Sequence, residues 1–593
     1  MGVLCSRTQQ EPEAATDAIA TAPATESMPV TTRSIANASS PRKRVLSKRC
    51  SPSAARRSQR GDDDVVLATT TAFSSTMPRD CENDRTAAKR LIDAHDDISS
   101  SLTPPSRKWR RVGESIDAGF ASPADYQQMR DEVMKQEKTL DFDFRCRARA
   151  TDLERRVDAI IQGLKAQDVA TVYEPAECRR GYGGQQHKRF PGDHFLSNVD
   201  LIDQTALLDV ARKMPKGAHL HIHFNSCLLP KVLLDIAKDM DRMFITSDLP
   251  LVPDNSFENF DKCEIQFSLK SPDKEDPGDL FSAGYKPRQT MRFTEFLRRF
   301  RQNYSDADPD AWLMSKLVFH EEESHNCLQT AAGAWEKFNG RTRMMKGLFN
   351  YETAYRRYTR LFLEDLLQDN IQYAEIRPNF MTSNQLYHDD GTGPIDNWGI
   401  MSIIIGEVER FKAELAEQPS RGRFFSGIKV IYCTPRSFSP DLVKAGLDEC
   451  IAFKQKWPQW IAGFDLVGEE AKGRPLKDFI PEFLQFKQDC RAAGLDIPFL
   501  FHCGETLDMG TDTDQNLVDA LLLNSKRIGH GFALAKHPYI MQHMKARGVC
   551  LELCPISNEV LGLTPRVSGH AMYELLANNV HCTVSSDNGT LFR

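Results

Sequence analysis

Long apolar runs are missing from this 593-residue chain. No stretch of about 18 consecutive apolar residues could cross a bilayer as a helix, and no apolar segment of a secretory leader follows the first methionine. Paired cysteines are missing too. The fifteen cysteines form no CxxC, and Cys433, Cys503, Cys550, Cys554 and Cys582 sit inside apolar runs, where a reduced thiol packs as a small hydrophobe. Both features lead us to expect an intracellular, cytoplasmic protein. An excess of positive charge is also absent: 76 Lys and Arg stand against 82 Asp and Glu, a formal net charge of -6. No nucleic-acid partner is therefore expected. The length exceeds one average domain and predicts a large catalytic unit with added segments.

Residues 1–122 are rich in Ser, Thr, Ala, Pro and Arg without a sustained apolar period, the composition of a disordered basic tail. Its start, Met-Gly-Val-Leu-Cys-Ser, fits N-myristoylation at Gly2, and Cys5 could take a second acyl chain. With the basic run Arg42, Lys43, Arg44, Lys48 and Arg49 this allows weak membrane attachment. The same run, with Arg107, Lys108, Arg110 and Arg111, suits nuclear import, and a plain solvated linker fits at least as well. Residues 123–213 are expected to form a helical accessory segment, with helices over 126–148 and 151–166. From 214 onward, β-branched runs at 218–223, 372–377, 428–433, 461–467, 498–502, 527–530, 549–554 and 582–586 alternate with amphipathic stretches. Eight such runs predict an α/β fold, a (β/α)₈ TIM barrel whose chemistry lies where strands end. An insert at 245–290, with many Pro, Asp and Lys residues, predicts a subdomain or flap.

Unusual polar residues mark those strand ends. His219, His221 and His223 share the parity of one strand face, so His221 and His223 can aim at one ion while His219 sits deeper. A histidine in an apolar run is usually a satisfied core residue. Here, however, His502 and Glu505 close the fifth run, His530 the sixth between Gly529 and Gly531, and Asp587 with Asn588 the eighth. Three nitrogens and a carboxylate oxygen suit zinc, with room left for water. A second zinc-site pattern, HxE followed by PCxxC, is absent. His320-Glu-Glu-Glu-Ser-His325 is a decoy: on a helix its histidines lie about 140° apart, which leaves a charged helix face.

From about 213 to 593 the chain resembles adenosine deaminases, and most nearly the adenosine deaminase-related growth factor subfamily. The resemblance rests on Met214-Pro-Lys-Gly217 before the HxH, His502-Cys-Gly-Glu-Thr506, Arg527-Ile-Gly-His-Gly-Phe-Ala-Leu534 with Lys536-His-Pro538, 463–470 and 552–558. It implies one Zn²⁺ per chain on His221, His223, His502 and Asp587, with Glu505 protonating purine N1 and His530 orienting or deprotonating the attacking water. Gly468 would offer its backbone to the purine. The implied reaction is hydrolytic deamination of adenosine or 2'-deoxyadenosine to the inosine product and ammonia. Deamination of AMP or a modified adenine nucleotide, or a catalytically dead binding protein, are the alternatives.

The chain departs from the family at several points. Asn588 stands where many members have a second aspartate facing the purine, and Asn225 where the classical enzyme has an aspartate near the ribose. The family continues past Arg593, so a truncation is expected, with the last barrel helix missing; the alternative is a barrel left with exposed apolar surface and a poorly held Asp587. Secreted relatives carry a signal peptide that has no counterpart here, and the insert is too short to carry over receptor binding. The resemblance also implies a homodimer through 123–213.

Overall fold

The computed structural model describes residues 107–181, 183–253, 258–381, 385–417 and 424–592. The tail features at Gly2, Cys5 and 42–49 lie outside these residues. The described residues fall into two units, 107–130 and 131–592.

In the first unit, part of the segment expected to lack structure is a helix, Arg107–Ala118. Val112 is buried, whereas Ile116 one turn later is 58% exposed.

The larger unit is built on eight parallel strands, taken in chain order as β1 Gly217–His219, β2 Ile371–Ile376, β3 Gly427–Pro435, β4 Ile461–Val467, β5 His502–Cys503, β6 Arg527–His530, β7 Cys550–Leu553 and β8 His581–Val584. They form two four-stranded halves, β1-β2-β3-β4 and β5-β6-β7-β8. The parallel bridge Phe464↔Phe499 joins one seam and Ile222↔Asp587 the other, which closes the barrel. Runs such as Gly-Ile-Lys-Val-Ile-Tyr-Cys in β3 are buried on both faces, as a helix-covered parallel sheet requires. The β1 ladder stops at His219, four residues short of the expected end. From Ile222 the backbone continues by single bridges, including His223↔Arg377, so both histidines still sit at the rim.

Helices α1 Glu352–Gln368, α2 Asn397–Ala416, α3 Pro440–Lys456, α4 Ile480–Ala492, α5 Asn516–Leu522, α6 Pro538–Ala546 and α7 Met572–Ala577 wrap the barrel. In α1 the buried face carries Tyr355, Tyr358, Phe362 and Leu366, three or four residues apart. Tyr358 Oη accepts the backbone N–H groups of Cys227 and Leu228, each at 2.8 Å, and so fixes the loop that follows His223. After β8, Gly589–Phe592 forms one helical turn with Leu591 and Phe592 buried. On β8 itself Val584 is 65% exposed.

The accessory segment contains Pro123–Leu140, Phe144–Arg149 and Asp152–Asp168. The last begins with a capping box in which the Thr151 and Glu154 side chains and backbones satisfy each other. Its final residue, Asp168, accepts the free N–H groups of Ala206 and Leu207 at the next helix start. The insert carries a small antiparallel sheet. Met243–Ser247 pairs antiparallel with Ile265–Leu269 and Met291–Arg292, and Phe260, Phe300, Tyr304 and Trp312 pack beside it.

Candidate active site

Four side chains from three stretches of chain meet at the barrel mouth. His221 and His223 arrive after β1, His502 on β5 and Asp587 after β8, with one ligand atom of each within 4.8 Å of the others. His223 Nε2 lies 3.3 Å from His502 Nε2 and 3.2 Å from Asp587 Oδ1; His221 Nε2 lies 3.6 Å from the same oxygen. Atoms bound at about 2.05 Å to one tetrahedral ion are about 3.3 Å apart, so the spacing fits.

The opposite edges of these rings decide which atoms carry lone pairs. His221 Nδ1 faces Glu552 at 2.8 Å and His502 Nδ1 faces Asp465 at 2.7 Å. Both carboxylates are ionised acceptors, so each Nδ1 donates and each Nε2 is the ring atom left to face the cluster. His221 Nε2 is buried without a hydrogen-bond partner. Against its burial, Asp587 and Glu552 raise His221, so the cluster calls for positive charge that a metal ion can supply in place of a proton. The residues present fit a metal ion, and the geometry points to a metal cofactor.

Arg377 locks this outer layer. Fully buried, its Nε donates to Asp465 at 2.8 Å and its Nη2 to Glu552 at 3.0 Å, so one guanidinium holds both carboxylates that orient the histidines. Burial alone would raise both carboxyls. His502 and Arg377 overcome it at Asp465, and Arg377 and His221 at Glu552, which leaves both well below the usual range. Sequence reasoning assigned these three residues no role. The signal was there: a charged residue near the centre of strand 461–467, another in 550–553, and an arginine closing 372–377.

Glu505 and His530 flank the cluster. Glu505 is buried, and its Oε1, 3.3 Å from His530 Nδ1, has no hydrogen-bond partner. Burial, with the charges of Asp587 and Glu470, pushes its carboxyl well up. Glu470 fixes the backbone here by accepting from Gly504 N at 3.1 Å and Glu505 N at 2.6 Å. His530 packs 4.8 Å from the His221 ring, and burial first, then His221, holds its imidazole neutral. His530 and Asp587 both adopt left-handed backbone, at φ 62° and 59°, strain that collects at sites of function.

Asp587 is held by several hydrogen bonds, which goes against the alternative of a poorly held residue. It accepts from Ser557 Oγ at 2.8 Å and from Asn588 Nδ2 at 2.9 Å, and its backbone N–H donates to the His221 carbonyl. Asn225 sits half-buried in the turn Phe224–Ser226, and Gly468 is exposed at the end of β4 with φ 102°, where its backbone is bare. His219 stays out of the cluster, 3.1 Å from Ser586 Oγ.

Gly529 explains the glycine before His530. A Cβ there would lie 2.7 Å from His221 Cε1 and 3.3 Å from the His502 Cα, so only glycine leaves space for the ring. Gly529→Ala is expected to displace His221 and cut bound metal below half of the wild-type content, measured by elemental analysis of the folded protein. Undiminished content would show that the ring can move aside.

The His320 to His325 stretch is not the solvated helix face expected from its charges. Only Glu321–Ser324 is helical, His320 Nε2 faces the Ser315 carbonyl at 2.8 Å, and the His325 side chain is buried.

Among known proteins, a family model described as Adenosine deaminase matches residues 315–593. Adenosine deaminase 2-A of Danio rerio is 30% identical over 440 residues, spanning 74% of this chain and 77% of that protein. Adenosine deaminase 2 of Sus scrofa is 31% identical over 403 residues, 68% of this chain and 72% of that one. Among solved structures, the adenine deaminase of Arthrobacter aurescens aligns over 64% of this chain and 84% of that one, at 19% identity and a TM-score of 0.37.

Proposed function

The chain belongs to the adenosine deaminase family and is a hydrolytic deaminase acting on a carbon–nitrogen bond, and from that premise we propose that it replaces the 6-amino group of adenosine or 2'-deoxyadenosine with oxygen. The observation that carries this reading is the convergence of the His221, His223 and His502 nitrogens on Asp587, with Glu505 and His530 beside them. The borderline donor set favours zinc, one ion per chain at this site. When bound, the ion supplies Lewis acidity, bringing the ionisation of water from about 15.7 to about 7.

The remaining steps fall to side chains. Glu505, kept protonated by burial, donates to the purine N1 as water adds at C6, so that the ring accepts the electron pair without building charge. His530 orients the water rather than deprotonating it, which its hydrogen bonds support. Met572 N–H donates to His570 Nδ1 at 2.9 Å, so His570 carries its proton on Nε2 and donates it to Asn558 Oδ1, also at 2.9 Å. The Asn558 amide nitrogen then faces His530 Nδ1 at 3.1 Å, which assigns the His530 proton to Nε2. A donor there holds the attacking oxygen. The attacking water gives one proton back to the Glu505 carboxylate and the other to the departing amino nitrogen, so the tetrahedral centre collapses to the inosine product and ammonia with one water consumed.

Asn225, Asn588 and the Gly468 backbone are proposed to contact the nucleoside. Asn588 offers the purine an uncharged amide in place of a carboxylate. A nucleoside is favoured over a nucleotide because Arg377 and Lys472 at the strand ends already have carboxylates, Asp465 and Glu552 for the first and Glu469 for the second. A homodimer is proposed through the helix Asp152–Asp168, whose Leu153, Val157 and Ile160 form an exposed apolar stripe. Among the described residues no helix is long and apolar enough to cross a membrane. Acylation at Gly2 remains the proposed membrane link.

The test is ammonia release from adenosine, 2'-deoxyadenosine and AMP by the full chain, before and after metal removal by a chelator and on zinc return. Adenosine turnover that falls at least 100-fold on stripping and recovers with zinc is expected. Turnover of AMP above adenosine would replace the nucleoside reading, and turnover insensitive to stripping would remove the metal from the mechanism.

A further inference from the structure

A second group of metal-ligating side chains lies outside the catalytic mouth. His194 precedes the helix Phe195–Ile202, His325 follows Glu321–Ser324, and Glu559 belongs to the helix Pro555–Val560. One ligand atom from each lies within 4.8 Å of the other two. The two imidazole rings stack with centroids 4.1 Å apart. His325 Nε2 stands 3.6 Å from Glu559 Oε1, beyond a hydrogen bond, with the histidine side chain 6% exposed and the glutamate side chain fully buried.

The polar atoms here are unsatisfied in a way that names what is missing. His194 Nδ1 and His325 Nε2 are buried without a hydrogen-bond partner, as are Asp193 Oδ2 and Ser324 Oγ on their chain neighbours. Unpaired buried polar atoms are costly, and several in one place call for a bound group. The charges around them indicate its sign. Arg566 is paired with Asp193 at 3.0 Å and Arg179 with Glu321, so each guanidinium is neutralised. Glu559 accepts only the backbone N–H groups of Phe195 and Val567, both at 2.7 Å or less, and faces no free cation among these groups. The pocket therefore holds one carboxyl group with no cation against it.

We propose that His194, His325 and Glu559 hold a second divalent ion of the zinc class. Two imidazoles and one carboxylate form a known zinc donor set, and loading would draw the donors from 4.8 Å toward the roughly 3.3 Å of a tetrahedral shell. The ion ties the accessory segment to the turn that supports the catalytic mouth. On that turn Ser557 donates to Asp587 and Asn558 faces His530.

The proposal is tested by counting ions. The metal-stripped full chain is reloaded with zinc, desalted and analysed for bound metal. Two ions per chain are expected, falling to one in His325→Ala and in Glu559→Gln, to one in His223→Ala, and to none in His223→Ala/His325→Ala. One ion that survives His325→Ala and disappears with His223→Ala would overturn the proposal and leave the pocket to ordered water. One ion with the reverse pattern would uphold it and reject the metal at the catalytic mouth. If His325→Ala does not fold by circular dichroism, Co²⁺ in the His223→Ala chain serves instead. A visible d–d absorption from one bound ion is expected there, and its absence overturns the proposal.

Discussion

Glu505→Gln is expected to lower kcat for ammonia release by about 100- to 10,000-fold with KM changed by less than about threefold, the range by which a positioned general acid accelerates proton transfer. The substitution keeps shape and volume and removes only the transferable proton. Glu505 is suited to that role because burial and the nearby Asp587 and Glu470 charges keep its carboxyl protonated where a free glutamate would be ionised. Its Oε1 lacks a hydrogen-bond partner, so the group is kept available instead of being spent on the fold. The backbone would not follow the change, since Glu470 grips the Gly504 and Glu505 N–H groups rather than the side chain. Parallel circular dichroism and bound-metal measurements should match wild type. A kcat within fivefold of wild type would take the proton donor away from Glu505, and a rise in KM with kcat preserved would make it a binding group.

What the sequence disclosed about this site follows from how its parts are encoded. The strand-end residues are contiguous with their strands, so parity alone places His221 and His223 on one side, and an isolated His or Asp at the end of an apolar run stands out. The barrel was legible for the same reason: eight β-branched runs separated by helical stretches leave few alternatives. The supporting layer was harder to read. Arg377 meets Asp465 and Glu552 across 88 and 175 residues, and a charged residue in a strand carries no mark of the strand it will face. The tautomer of His530 depends on His570 and Asn558, ordinary polar residues whose meaning arises only when three loops come together. Composition misled at 107–118, which is a helix with Val112 buried. At His325, periodicity assumed a helix that ends one residue earlier.

Arg377→Met should have the largest effect on stability, a loss of about 3–5 kcal/mol, the cost of breaking a buried ion pair from one side. Methionine fills much of the volume but leaves Asp465 and Glu552, both fully buried, without their shared cation. Arg377→Lys should recover little, because one ammonium cannot reach two carboxylates in the fork geometry of a guanidinium. The pH dependence has a definite sign. Both carboxyls are depressed in the folded chain, so their contribution is present above the unfolded values of about 3.9 and 4.3 and is lost as pH falls through the folded ones. Without the guanidinium both folded values rise, the depression shrinks, and acid unfolding should begin at a higher pH than in wild type. Urea midpoints recorded from pH 2 to 8 would measure both effects. A midpoint unchanged at pH 7 would mean that the histidines and the bound metal hold the two carboxylates without Arg377.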